Sequence, residues 1–240
     1  MVNDIAAVSP MNNLLMEYAD DITISVPVRQ SPDTATAEVE YMKKWADINE
    51  MSLNITKTWE MCMHGKTTKL SPPELPGIKT KSWLKLFGVT FQEDVTNWDI
   101  HIDNMLFKAR SQMYILRVCK SYGYSKDQLN NLFNSLVMSV FLYGIEVWGA
   151  AYQRKYLDRI DRFLKRAHRF GFVTKETILY LIKDRDSKLF KNVIRDDHIL
   201  HDLLPPKRNC VLCERKHDFI FRRVRTERFK HSFHNRCIFY

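Results

Sequence analysis

Along the first hundred residues the apolar positions follow a short period. Ile22, Ile24 and Val26 alternate with Thr23 and Ser25, the period of two of a half-buried strand. Ahead of them Leu14, Met16 and Tyr18 share one parity while Leu15, Glu17 and Ala19 share the other. This predicts two paired strands with Asp20 and Asp21 at or beside the turn, and Pro27 ends the second. Ser31-Pro32-Asp33 predicts a helix start, with Ser31 as cap, and Ala35, Val39, Met42 and Ala46 give that helix one apolar face. Leu53, Ile55 and Met61 predict another short strand pair, and Ser71 to Gly77 a loop. Trp83 to Phe91 reads as a strand in which Gly88 is a bulge or a point of close approach.

From Trp98 the spacing changes to steps of three and four. Ile102, Leu106, Ala109, Met113 and Leu116 form one stripe that stops near Gly123. Ser125 with Gln128 makes a capping box for a second helix through Leu129, Phe133, Leu136, Val140 and Val147. A third helix runs from about Arg154, with Leu157, Ile160, Leu164 and Ala167 inside. Its other face carries Arg154, Lys155, Arg159, Arg162, Lys165, Arg166 and Arg169. A fourth runs from about Thr174 and ends before Pro205-Pro206. Lys207 to Tyr240 is basic and aromatic without a clear period. The predicted class is α+β.

Charge sharpens this division. Residues 1–151 hold 14 Lys and Arg against 17 Asp and Glu, whereas residues 152–240 hold 23 against 11. A near-neutral front and a strongly basic back are expected of a chain that holds a polyanion, nucleic acid first and an anionic membrane surface second. No run approaches the roughly 20 apolar residues that span a bilayer, and the start MVNDIAAVSP lacks a basic, apolar leader. Five cysteines, an odd number, give no disulfide framework. The expected setting is intracellular, nuclear or cytoplasmic, not secreted and without a membrane partner.

Asp20 and Asp21 are the candidate chemistry. Adjacent carboxylates between two apolar runs repel each other and call for a cation. The motif Tyr18-Ala19-Asp20-Asp21 is followed by Trp45, Asn49, Leu53, Asn54, Lys57 and Thr58 in the pattern WxxxNxxxLNxxKT. Phe87-Gly88-Val89 comes next, and then YGIEVW at Tyr143 to Trp148 and YLDRIDRFLKRA at Tyr156 to Ala167. The chain closes on RTERFKHSFHNRCIF, Arg225 to Phe239. Together and in this order, these motifs resemble the reverse transcriptases of non-LTR (LINE-type) retrotransposons over nearly the whole chain.

The resemblance implies an incomplete antiparallel palm sheet with the YADD hairpin over residues 1–93. It implies a helical thumb over 94–172 and a helical, then basic, extension over 173–240. By the same resemblance Asp20 holds Mg²⁺ or Mn²⁺ with Asp21 a weaker or water-mediated ligand, Tyr18 packs beneath the primer end, and Phe87 and Gly88 grip the primer. Lys57 serves either as general acid to the leaving pyrophosphate or as a point charge near phosphate. Asn54 fixes its turn. Two-metal transfer needs carboxylates that bridge both ions, and Mg²⁺ takes hard oxygen ligands. The basic helix face, Arg159, Arg162, Arg166 and Arg169 above all, suits an RNA template paired with a DNA primer.

Against the family's pattern the chain lacks the fingers, the metal-bridging aspartate and the nucleotide-pocket segment. Asp4 belongs to the strand leading into the hairpin and does not replace that aspartate. The expectation is therefore a C-terminal part of an RNA-directed DNA polymerase, inactive without an N-terminal polymerase half. The alternative is a non-catalytic basic nucleic-acid-binding module. A tetrahedral zinc set from Cys210, Cys213, His234 and Cys237 has wide spacing between its two halves, and unliganded thiols are the preferred reading.

Overall fold

The computed structural model describes residues 5–28, 34–64, 74–149, 154–174, 177–207, 219–220, 223–224 and 227–239. Asp4, the Ser31-Pro32-Asp33 helix start and the first part of the 71–77 loop lie outside them. The fold is α+β, in two compact units: residues 1–85 with 91–95, and residues 86–90 with 96–240.

In the first unit β1 (Leu14–Tyr18) and β2 (Asp21–Ser25) pair antiparallel, with Tyr18 opposite Asp21 and Leu14 opposite Ser25. Helix α1 (Ala35–Ile48) buries Met42 and Ala46 on the predicted face, but also Glu38, only 1% exposed. The Glu38 carboxylate accepts from the backbone N–H of Val8 (3.0 Å) and Ser9 (3.2 Å) and from Asn13 Nδ2 (2.6 Å). Three donors make a buried carboxylate tolerable, and they tie the segment entering β1 to α1.

The strand pair expected around Leu53 to Met61 is replaced. A 3₁₀ turn occupies Ile55–Lys57, and β3 (Trp59–Glu60) pairs parallel with β4 (Lys79–Thr80). The turn wins because Asn54 Oδ1 accepts from Lys57 N (3.2 Å) and Thr56 Oγ1 (2.6 Å), a local alternative to strand pairing. β5 (Trp83–Leu86) and β6 (Val89–Gln92) form a hairpin, so Gly88 is a turn residue rather than a bulge. Among the described residues there are thus three separate two-stranded ladders where a single open sheet was expected.

The second unit is helical. Helix α2 (Asp99–Ser121) buries all five residues of its predicted stripe, adding His101 and Met105. Each fully buried Leu, Ile, Met or Phe of this core contributes roughly 1.5–3 kcal/mol against exposure. The capping box forms as predicted: Ser125 Oγ accepts from Gln128 N (3.3 Å), and Gln128 Oε1 from Ser125 N (2.9 Å).

The helix it starts does not run on to Val147. It is α3 (Lys126–Phe133), a π-helical turn over Asn134–Met138, α4 (Ser139–Leu142) and, after a break, α5 (Ile145–Trp148). Ser135 and Ser139 hydroxyls donate to the carbonyls of Asn131 (2.9 Å) and Ser135 (2.6 Å), the back-bonding that loosens a helix. Gly144 then turns left-handed at φ +59°, which leaves Val147 exposed and sends Trp148 into the core. Trp148 Nε1 donates to the Tyr143 carbonyl at 3.0 Å.

Helix α6 (Arg154–Arg169) buries Tyr156, Ile160, Phe163, Leu164 and Ala167. It ends in a Schellman motif, in which Gly171 N donates to His168 O and Phe172 N to Ala167 O with Gly171 at φ +78°. Helix α7 (Ile178–Val193) starts later than expected. Thr177 caps it, and Asp161 of α6 accepts from Ile178 N at 2.8 Å. Among the described residues of the tail, α8 (Glu227–Lys230) and α9 (Phe233–Phe239) form, and Leu204, Phe219 and Ile238 make a second apolar cluster with Val193.

Candidate functional site

Asp20 and Asp21 sit at the tip of the β1–β2 hairpin, both exposed, Asp20 in the two-residue turn and Asp21 at the start of β2. Ala19, the other turn residue, has φ +55°, a region an L-residue with a Cβ enters at a cost of about 1–2 kcal/mol. A strained non-glycine residue between Tyr18 and a carboxylate pair is the kind of outlier found at functional turns. The two carboxylates have no hydrogen-bond or ion-pair partner among the described residues. Their hard oxygens suit Mg²⁺ or Mn²⁺, but no group of three His, Cys, Asp or Glu able to hold a metal forms among the described residues. Two ligands make an incomplete site for the two-metal chemistry of nucleotidyl transfer.

Lys57 closes the Asn54-capped turn in the same unit as the hairpin, with its side chain exposed. Tyr18 is exposed on the face that β1 shares with Leu14 and Met16, and all three lie open.

Phe87 and Gly88 occupy the tip of the β5–β6 hairpin, with φ of +46° and +83°. Positive φ at both positions defines the type I′ geometry that matches strand twist, a geometry that favours Asn or Gly at the first position. Phe87 is held in it by Tyr143, whose hydroxyl donates to the Phe87 carbonyl at 2.6 Å.

The basic face of α6 divides into two halves. Near its start, Lys155 pairs with Asp99 at 3.3 Å, and Arg159 pairs with Asp99 and, more closely, Asp103. Those charges are largely neutralised by α2. Arg162, Lys165, Arg166 and Arg169, at i, i+3, i+4 and i+7, are exposed and have no carboxylate partner among the described residues. Arg162 Nε donates to the carbonyl of Asp158 on its own helix. The cationic surface is thus the second half of α6, with Lys165 in it and Arg159 outside it.

Of the cysteine and histidine set, Cys210 and Cys213 lie outside the described residues. His234 and Cys237 lie on α9. Burial, reinforced by the Asp186 carboxylate, pushes the Cys237 thiol up to about 12.

Sequence reasoning missed Glu38, Tyr143 and the Asp186–Arg236 pair. In that pair Arg236 Nε and Nη2 donate to the two Asp186 oxygens at 2.6 and 2.7 Å, and Nη2 also reaches the Glu146 carbonyl at 2.7 Å. For Glu38 and Asp186 the signal was faint, a charge at a core-facing helical position beside Met42 and Ile182, and for the exposed Tyr143 there was none.

Comparison with protein-family models, curated proteins and solved structures gives no match to this chain. Among the described residues no helix is long and apolar enough to cross a membrane.

Proposed function

We propose that this chain is the C-terminal part of an RNA-directed DNA polymerase of the non-LTR retrotransposon type. In this reading the first unit is a palm remainder and α2 to α6 a thumb. The observation that carries it is the β1–β2 hairpin, which presents Asp20 and Asp21 at an exposed tip beside a strained Ala19. The exposed row of Leu14, Met16 and Tyr18 on one face of β1 supports it, as an apolar face that another layer of a palm would cover.

In the assembled site Asp20 and Asp21 would hold Mg²⁺. The ion would supply charge stabilisation on the attacking and leaving oxygens of phosphoryl transfer. Tyr18 would support the primer end and the Phe87-Gly88 turn would grip its backbone. Lys57 would stand near the leaving pyrophosphate, as acid or as fixed charge. A bridging carboxylate and a nucleotide pocket would come from polypeptide beyond these 240 residues, so the chain alone is not a competent polymerase.

The test is Mn²⁺ binding followed by electron paramagnetic resonance. The parent chain should bind weakly, Asp20→Asn should abolish binding, and the chain alone should not extend oligo-dT on poly-rA. Absence of Mn²⁺ binding in the parent removes the polymerase reading, and robust extension by the chain alone removes its incompleteness.

The second reading, a non-catalytic basic nucleic-acid-binding module, draws on Arg162, Lys165, Arg166 and Arg169, which need no metal to hold a phosphate backbone.

A further inference from the structure

From Phe107 onward the face of α2 turned away from the core carries exposed rings and cations and no carboxylate. Phe107, Tyr114 and Tyr122, at the helix's C-cap, are 72%, 65% and 80% exposed, and Ile115 beside them is also open. Phe107, Ser111, Tyr114 and Val118 fall at i, i+4, i+7 and i+11, one stripe, and Tyr122 continues it. The core residues Ile102, Met105, Ala109, Met113 and Leu116 lie on the opposite side. Arg110 and Arg117 flank the aromatics on one side and Lys108 on the other, all exposed, and Lys120 follows near the helix end. From Asn104 to Lys126 the chain has no Asp or Glu. The last acid before the stripe, Asp103, is taken by Arg159.

From this juxtaposition we infer that the outer face of α2 is a platform for single-stranded nucleic acid, with bases stacked on Phe107, Tyr114 and Tyr122 and phosphates drawn to Arg110 and Arg117. An apolar stripe alone would point to a protein partner. Cations on both flanks with no acid among them ask instead for a polyanion, and exposed rings ask for flat apolar faces. Nucleic acid offers both together, and only a single strand does so, because a duplex hides its base faces in its own stack. Helical rise puts Phe107 and Tyr114 about 10 Å apart, and Tyr114 and Tyr122 about 12 Å. Each gap accommodates about three nucleotides at stacked spacing. The platform requires no metal.

The experiment compares fluorescein-labelled oligo-dT of about 20 nucleotides with an RNA–DNA hybrid of equal length, by anisotropy, on the full chain. Phe107→Leu/Tyr114→Leu/Tyr122→Leu keeps apolar area and helix propensity but removes the rings. It should lower oligo-dT affinity at least tenfold and leave hybrid affinity within about twofold. Arg110→Gln/Arg117→Gln should flatten the oligo-dT salt dependence by about 1.4 in log–log slope.

With bromodeoxyuridine in the oligonucleotide, ultraviolet crosslinks on the parent chain should map to residues 107–122, a result that depends on no variant. Unchanged oligo-dT affinity in the leucine variant, or crosslinks confined elsewhere, overturns the platform. So does a parent dimer that the leucine variant abolishes, because the stripe would then be a self-association surface. The α6 face is judged on the hybrid with α6 variants, so either surface can fail without the other.

Discussion

Tyr143 and Gly88 occupy each other's space: a Cβ built on Gly88 would lie 2.8 Å from Tyr143 Cε1, while the Tyr143 hydroxyl holds the carbonyl of Phe87, the residue before it. The turn of one hairpin is therefore shaped by a side chain from the helix break 55 residues later in the sequence. Trp148 Nε1 fixes the Tyr143 carbonyl in turn, and a Cβ built on Gly144 would lie 3.0 Å from Val89 Cγ2. The YGIEVW segment acts locally as a clamp on the FGV turn.

Gly88→Ala should cost about 2–4 kcal/mol, from left-handed backbone strain at φ +83° and the clash with Tyr143 together. Tyr143→Phe should cost about 1 kcal/mol, one hydrogen bond. Urea unfolding followed by tryptophan fluorescence measures both, and equal costs would show that the close approach is relieved by movement of the turn.

His101 gives the second unit a pH-dependent stability. Burial, then the nearby Lys108 charge, lowers its pKa from 6.5 to about 4, and its Nδ1 accepts from Thr90 N at 3.3 Å. Between those values the unfolded chain binds a proton that the folded chain refuses. Stability is therefore full above pH 6.5 and falls as pH drops toward 4, by about 3 kcal/mol at the bottom of that window. His101→Leu should be less stable at pH 7 and lack this slope. A slope retained in the variant would assign the loss to carboxylates.

Arg236 should be the most sensitive residue of the tail. Arg236→Leu strands a buried Asp186 carboxylate and should cost about 3–5 kcal/mol. The double replacement Asp186→Leu/Arg236→Leu should recover most of it, since two apolar groups need no partner. A thermal-unfolding cycle reads the coupling, and additive costs would mean that the pair does not interact in solution.

For duplex binding the division of α6 makes a sharp contrast. Replacing Arg162, Lys165, Arg166 and Arg169 by Gln should flatten the log–log salt dependence of RNA–DNA hybrid binding by about three to four units. Lys155→Gln/Arg159→Gln should change it by less than about one unit, because Asp99 and Asp103 already offset those charges. Slopes matching the parent in the four-residue variant would leave α6 a solvated face.

The sequence by itself determined what periodicity and local capping can encode. The paired strands around Asp20 and Asp21, the α2 stripe, the Ser125–Gln128 box and the apolar side of α6 all rest on neighbours within a few residues. They were legible because 2.0 and 3.6 are the periods of the backbone itself. Tertiary structure decided whatever depends on a distant partner. It left two halves of one basic face different, since only an acid on α2 can neutralise Arg159. It broke the helix after Leu142, where Tyr143 turns extended and Gly144 left-handed beside Val89. It buried Glu38 and Arg236, whose side-chain partners Asn13 and Asp186 lie 25 and 50 residues away, and among the described residues it left three ladders where one sheet was expected. A period read along a chain reports which face is apolar. Which charges are paired, and which strands find a neighbour, is settled only when distant segments meet.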